Sequence, residues 1–225
     1  MEYNIHQYCV YIKDRKNALK IFAIFFYSVG LLGLVIPCTF PLFLKLIPFA
    51  LILSFVALAL SHKSKIDTKT ISIFFFIYIF AFIAEALGVG TGQIFGHYEY
   101  GLGLGIKFLQ TPLIIGINWL FLVYTTASIT QKLKVPDILK ILIASVGMLL
   151  YDIVLEQVAD KLDMWHWKDG IIPFQNYLAW YVLAVFFHAL LKIFRIKIEN
   201  TFAILILLCQ FIFFLFLYIS FKLLI

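Results

Sequence analysis

ILKILIASVGMLLYDIVLEQV, Ile138 to Val158, is apolar over most of its length and long enough, at 1.5 Å per residue, to cross a hydrocarbon core about 30 Å thick. Its second half nevertheless carries Asp152 and Glu156, four residues apart and therefore on one face of a helix. Ionisable side chains at membrane depth are costly unless they face the interior of a helix bundle, so this face is read as functional. The stretch thus predicts a membrane-spanning helix with an acidic inner surface.

Six further runs of the same kind surround it. The chain has 225 residues, 64% of them hydrophobic and 13% charged, with a mean hydropathy of +1.01, values that exclude an ordinary soluble domain. The expected spans are Ile21–Ile36, Leu42–Leu60, Thr70–Ile94, Pro112–Ile129, Ile138–Val158, Phe174–Leu191 and Thr201–Ile219. No internal repeat or linker interrupts them, which predicts one all-α integral-membrane domain over residues 1–225. The first 20 residues are polar and show no cleavable signal pattern, so the first helix is expected to be an uncleaved anchor. Cys9, Cys38 and Cys209 have neither a metal-site spacing nor a disulfide framework.

The net charge of +6 is distributed unevenly. Seven crossings with the N-terminus inside leave only Lys45, Lys107, Lys161, Lys168 and Lys222 of the 18 basic residues on the outer side. The positive-inside rule therefore supports seven helices with an inner N-terminus, and it leaves no need for a nucleic-acid partner.

Depth counting brings the polar residues together. Entering from the inner face, Glu85 comes to lie roughly 21 Å in, and Asp152 and Glu156 roughly 17 and 23 Å in. The fourth helix runs the other way and places Asn118 and Trp119 roughly 9–10 Å below the outer surface. Asn176 and Trp180 of the sixth helix enter the same layer. Four helices distant in sequence thus supply carboxylates, amides and indoles to one level of the bilayer. The 25 Phe residues, scattered around every helix face, are read as lipid-facing and core packing. The segment GVGTGQIFGHYEYGLGLG, Gly88 to Gly105, contains Gly88, Gly92 and Gly96 at the four-residue spacing that favours close helix packing. Tyr98, Tyr100, Trp165 and Trp167 fit an interfacial aromatic belt, a pocket rim, or both.

There is no P-loop, no dinucleotide fingerprint and no H-E-x-x-H motif, and the five His residues are too dispersed for a histidine-box metal site. No metal and no cofactor is expected. A carboxyl group in apolar surroundings can stay protonated near neutral pH and act as an acid, and aromatic faces stabilise a neighbouring cation. Acid and aromatic walls within a bilayer fit protonation of an isoprenoid alkene, with the carbocation captured by water or closing a ring. Transporter sites, by contrast, tend to lie near the midplane.

The ordered set Glu85, Gly88, Thr91, Gly92, Phe95, Gly96, Tyr98, Tyr100, Gly101, Gly105, Pro112-Leu113, Asn118-Trp119, Asp152, Glu156, Trp165, Trp167, Pro173, Asn176 and Trp180 resembles the membrane carotenoid biosynthesis proteins. That family includes bisanhydrobacterioruberin hydratase and carotenoid 1,2-hydratase, and the resemblance is strongest over Phe74 to Phe187. Gln157, where a proline is expected, and Ala179, where glycine often stands, depart from its pattern. The resemblance implies cofactor-independent addition of water to the terminal C=C of an acyclic carotenoid, in the inner membrane and alongside other pathway enzymes. Glu85, Asp152 and Glu156 would then be the catalytic groups. Tyr98, Tyr100, Asn118, Trp119, Trp165, Trp167, Asn176 and Trp180 would bind substrate and water. A lycopene-cyclase-like enzyme, a non-enzymatic carotenoid- or lipid-binding protein and a proton-coupled transporter are the alternatives.

Overall fold

A computed structural model describes the backbone of residues 5–223 and the side chains of residues 17–223. His6 and Cys9 and the basic residues Lys13, Arg15 and Lys16 lie outside the described side chains. Among the described residues, seven helices follow the expected runs: α1 (Ile5–Val35), α2 (Phe40–Leu60), α3 (Thr68–Thr91), α4 (Ile114–Thr130), α5 (Asp137–Ala159), α6 (Phe174–Ile193) and α7 (Ala203–Leu223). Six of them are long and apolar enough to cross a membrane, α1 through its Asn17–Val35 portion. The protein is a multi-pass, all-α membrane bundle.

Local chemistry sets the helix ends. Asp67 caps α3, its carboxylate accepting from Thr70 N at 2.8 Å. Pro136 and Pro173, both extended, stand immediately before α5 and α6, where a missing N–H costs nothing. The third helix ends at Thr91, short of the expected Ile94, because Gly92 turns left-handed (φ 67°) and closes it with an N–H to Gly88 O at 2.8 Å.

The seventeen-residue α4 is the axis of the bundle. At about 26 Å it is shorter than its neighbours. Asn118 through Ser128 are all buried, because α2, α3, α5, α6 and α7 pack around it. On the outer helices the apolar residues turn outward, with Phe25, Phe49 and Phe75 about two-thirds exposed, as lipid contact requires. Phe95 and Phe187 instead fill the interior.

Two small ribbons add strands to the expected all-helical chain. β2 (Lys107–Phe108) pairs with β3 (Thr111–Pro112) in a tight hairpin. β1 (Tyr98–Tyr100) pairs antiparallel with β4 (Trp165–Trp167), matching Tyr98 to Trp167, Glu99 to His166 and Tyr100 to Trp165. The glycines serve this loop packing, not the helix packing read from their spacing. A Cβ on Gly88 would meet Phe95, one on Gly96 would meet Pro173, and one on Gly101 or Gly103 would strike the backbone at Leu162–Asp163. Gly101 N and Gly103 N donate to Met164 O (3.0 Å) and Asp163 O (2.7 Å), so the close approach is hydrogen-bonded.

The opposite end is closed by a second polar cluster. His62 Nδ1 lies 2.5 Å from the Tyr124 hydroxyl, to which Asn200 Nδ2 donates at 3.0 Å. Asn200 also donates to Leu58 O (2.8 Å) and accepts from Phe202 N (2.9 Å). His188 meets Thr126 Oγ1 at 2.9 Å, and Lys192 pairs with Asp137 at 2.8 Å.

Candidate active site

The first half of the site comes from α3. Glu85 is 3% exposed, and its carboxylate accepts from the Tyr98 hydroxyl (2.6 Å) and the Tyr100 hydroxyl (2.7 Å) on one oxygen and from Trp119 Nε1 (2.8 Å) on the other. The second half comes from α5. Glu156, 6% exposed, accepts from Trp165 Nε1 (3.0 Å) and Trp167 Nε1 (2.8 Å) on one oxygen and from Asn176 Nδ2 (3.0 Å) on the other. Both glutamates are thus held by three neutral donors each.

The β1–β4 ribbon delivers four of those donors. Successive strand residues point to opposite faces, so Tyr98, Tyr100, Trp165 and Trp167 share the inward face, while Glu99 and His166 point outward. The inward rings pack on one another: Tyr98 and Trp167 have centroids 5.0 Å apart, and Tyr100 meets Trp165 edge-on at 6.2 Å. Outside, His166 lies 2.7 Å from Asp160 and 3.0 Å from Asp163, and its hydrogen bonds to these carboxylates raise its pKa above the usual imidazole value.

Asp152 differs from both glutamates. It is 0% exposed, its Oδ2 accepts one long bond from Asn176 Nδ2 (3.3 Å), and its Oδ1 has no partner. The neighbouring Tyr151 hydroxyl is also buried and unpartnered. None of the ion pairs among the described residues involves Glu85, Asp152 or Glu156. Three carboxyl groups therefore share a buried site with indoles, phenols and one amide.

Trp119 carries the aromatic wall deeper, stacking on Trp180 with centroids 4.0 Å apart. The space enclosed by Glu85, Glu156, Tyr98, Tyr100, Trp165, Trp167, Asn176 and Trp180 is only about 10 Å³, room for roughly one water molecule. Asn118 faces a different chamber of the same size, bounded by Tyr151, Leu155, Met164 and Trp165. It makes no side-chain hydrogen bond among the described residues, to the three carboxylates or to any other group.

Ten of the eleven sequence-derived residues therefore form one continuous cluster, with Asn118 behind it. Tyr151 escaped the sequence reading because a tyrosine beside an acid in an apolar helix carries no motif; its position one residue before Asp152 was the available signal. Gln157 is exposed and donates to Ile153 O at 3.3 Å within its own helix, so it points away from the site. Ala179 is partly buried at the edge of the core.

No curated protein and no solved structure matches the chain. A sequence profile described as "carotenoid biosynthesis protein" matches residues 46–225, from the middle of α2 through α7 and across every carboxylate, indole and phenol of the cluster. The match spans most of the chain, and the protein belongs to the carotenoid biosynthesis protein family.

Proposed function

We propose that the protein is a cofactor-independent carotenoid hydratase of the inner membrane that adds water to the terminal C=C of an acyclic carotenoid. The observation that carries this reading is the difference in hydrogen bonding among the three buried carboxyl groups. Glu85 and Glu156 each accept three hydrogen bonds, with two on one oxygen and one on the other, whereas Asp152 Oδ1 has none. An oxygen without a donor is the one free to carry a proton and present it to substrate.

Asp152 then acts as the general acid. Its proton forms a C–H bond at the less substituted alkene carbon, and the π-electrons leave a tertiary cation at the other. The faces of Trp165, Trp167 and Tyr98 stabilise that cation. Water held by Glu156 and Asn176 attacks it, forming the C–O bond, and Glu156 takes the released proton. The pair ends with as many protons as it began with, and transfer from Glu156 to Asp152 resets it. Glu85, fixed by Tyr98, Tyr100 and Trp119, positions the aromatic ribbon and adds negative potential near the cation. Asn118 and Tyr151 hold water or the approaching chain in the adjoining chamber.

Co-expression with a lycopene-producing pathway tests the reading. The expected pigment is heavier by one water for each modified end. A product of unchanged mass with a ring-type spectrum would show cyclisation, and unchanged pigment would remove both reactions for that substrate.

A further inference from the structure

The space among the carboxylates holds about one water molecule, and a larger apolar cavity approaches it sideways through the protein wall. A cavity of about 370 Å³ lies between α1, α2 and α7, bounded by Tyr27, Gly30, Phe43, Ala50, Gln210 and Phe213. That volume is in the range of small-molecule sites, and its lining is apolar almost throughout. Its mouth is formed by Val29, Leu46, Phe49 and Leu53, which are exposed on the lipid-facing surface.

Two partitions link this cavity to the carboxylates. Leu51, Met164 and Phe214 wall both the cavity and the Asn118–Tyr151 chamber. Ile115 and Trp165 wall both that chamber and the carboxylate site. Trp165 is also a donor to Glu156, so the last partition is part of the site. The cavity lies at the level of the carboxylates in the outer half of the bundle. Between Leu53 and Phe43 of α2 it extends roughly 15 Å along the helix.

Polar atoms mark the route. Gln210 is 2% exposed in the cavity wall with Oε1 unpartnered, and the Tyr151 hydroxyl is unpartnered in the chamber beyond. A lipid acyl chain satisfies neither, whereas the hydroxyl of a hydrated isoprenoid end can bond to each in turn on its way out. α1, which supplies one wall, lies outside the family match at 46–225.

We infer that the α1–α2–α7 cavity is the binding groove for the polyene arm of an acyclic isoprenoid, which enters from the lipid and delivers its end through the Asn118–Tyr151 chamber. The choice of occupant rests on the hydratase reading; the groove and its continuity with the site do not. Displacement of Met164 and Trp165 opens the passage. A groove about half the bilayer deep holds one arm and leaves the other in lipid, so each end of a long polyene enters separately.

The test separates binding from chemistry. Gly30→Trp and Ala50→Trp fill the groove without touching a carboxylate, Ala50→Leu fills it more gently, and Leu208→Trp on the exposed face of α7 is the control. Each variant and Glu156→Gln is purified from lycopene-accumulating cells, its folding checked by monodisperse elution, and its bound pigment read by absorbance per mole of protein. Bound pigment is expected to fall about tenfold in the tryptophan variants, equivalent to about 1.4 kcal/mol of affinity, and less in Ala50→Leu. Leu208→Trp should retain wild-type amounts, and the pigment bound to Glu156→Gln should be predominantly of unmodified mass. Wild-type pigment loading in folded Gly30→Trp, Ala50→Trp and Ala50→Leu would overturn the groove while leaving hydration intact. Wild-type protein that binds pigment in the groove without changing its mass would overturn hydration and leave the groove standing.

Discussion

The bundle buries two polar clusters, one at each end of α4, and they are built from different chemistry. The inner one, around His62, Tyr124, Asn200, Thr126 and His188, contains imidazoles, hydroxyls and an amide that bond to one another and to helix carbonyls. The outer one contains three carboxyl groups, a ring of neutral donors, and two unpartnered oxygens at Tyr151 and Asp152. Polar burial alone therefore does not mark a site in this fold. His62 Nε2 is unpartnered in the inner cluster too, so what separates the outer cluster from a structural tie is the presence of buried acids without a cation.

Substitutions at each end can break or sharpen that contrast. The largest effect is expected for Asp152→Asn, which removes the proton donor while keeping the shape: turnover should fall about 10³–10⁴-fold, with the thermal midpoint nearly unchanged. If Asp152→Asn hydrates at the wild-type rate, Asp152 is not the acid. Glu156→Gln should lower turnover about 10²-fold, and a pH–rate profile that loses one limb would identify the missing base. Asn200→Ala should do the reverse. It strands Phe202 N in the interior and removes a donor from Leu58 O, costing about 1–3 kcal/mol in a thermal or denaturant assay, while turnover per folded molecule stays within about twofold. A large loss of turnover in folded Asn200→Ala would erase the distinction between the two ends.

The smallest effect concerns the rim. The His166 pKa is raised by hydrogen bonds to Asp160 and Asp163, so its contribution to stability is full below the unfolded value near 6.5 and fades as pH rises through the folded value. His166→Asn should flatten that decline, which begins as pH rises past the unfolded value, without altering the product. A pH dependence of stability that survives His166→Asn would assign it to another group.

Much of this architecture was legible in the sequence because a helix advances a fixed distance per residue and a bilayer has a fixed thickness. Counting from loop to loop was enough to set Glu85, Asp152 and Glu156 at one level, and the structure places all three in one buried cluster. The β1–β4 ribbon was not legible. Strands of three residues, separated by more than sixty positions, leave no periodic trace, and their aromatic residues read equally well as an interfacial belt. The glycines misled for a related reason: a four-residue spacing suggests helix contact, but the left-handed turn at Gly92 ends the helix and turns Gly96 toward Pro173. Asn118 shares its depth with the carboxylates, yet depth says nothing about azimuth, and it faces the neighbouring chamber.

The ribbon has one further consequence. Tyr98 and Tyr100 hold Glu85, Trp165 and Trp167 hold Glu156, and backbone hydrogen bonds join the two strands, so acids on separate helices are yoked through a single rigid clasp. Disturbing either carboxylate loosens the donors of the other. The effects of Glu85→Gln and Glu156→Gln should therefore fail to add, the double variant losing less than the two single losses combined predict. For a chain accumulating substitutions, the two acids are one heritable unit: once the first is lost, little is left to preserve the second.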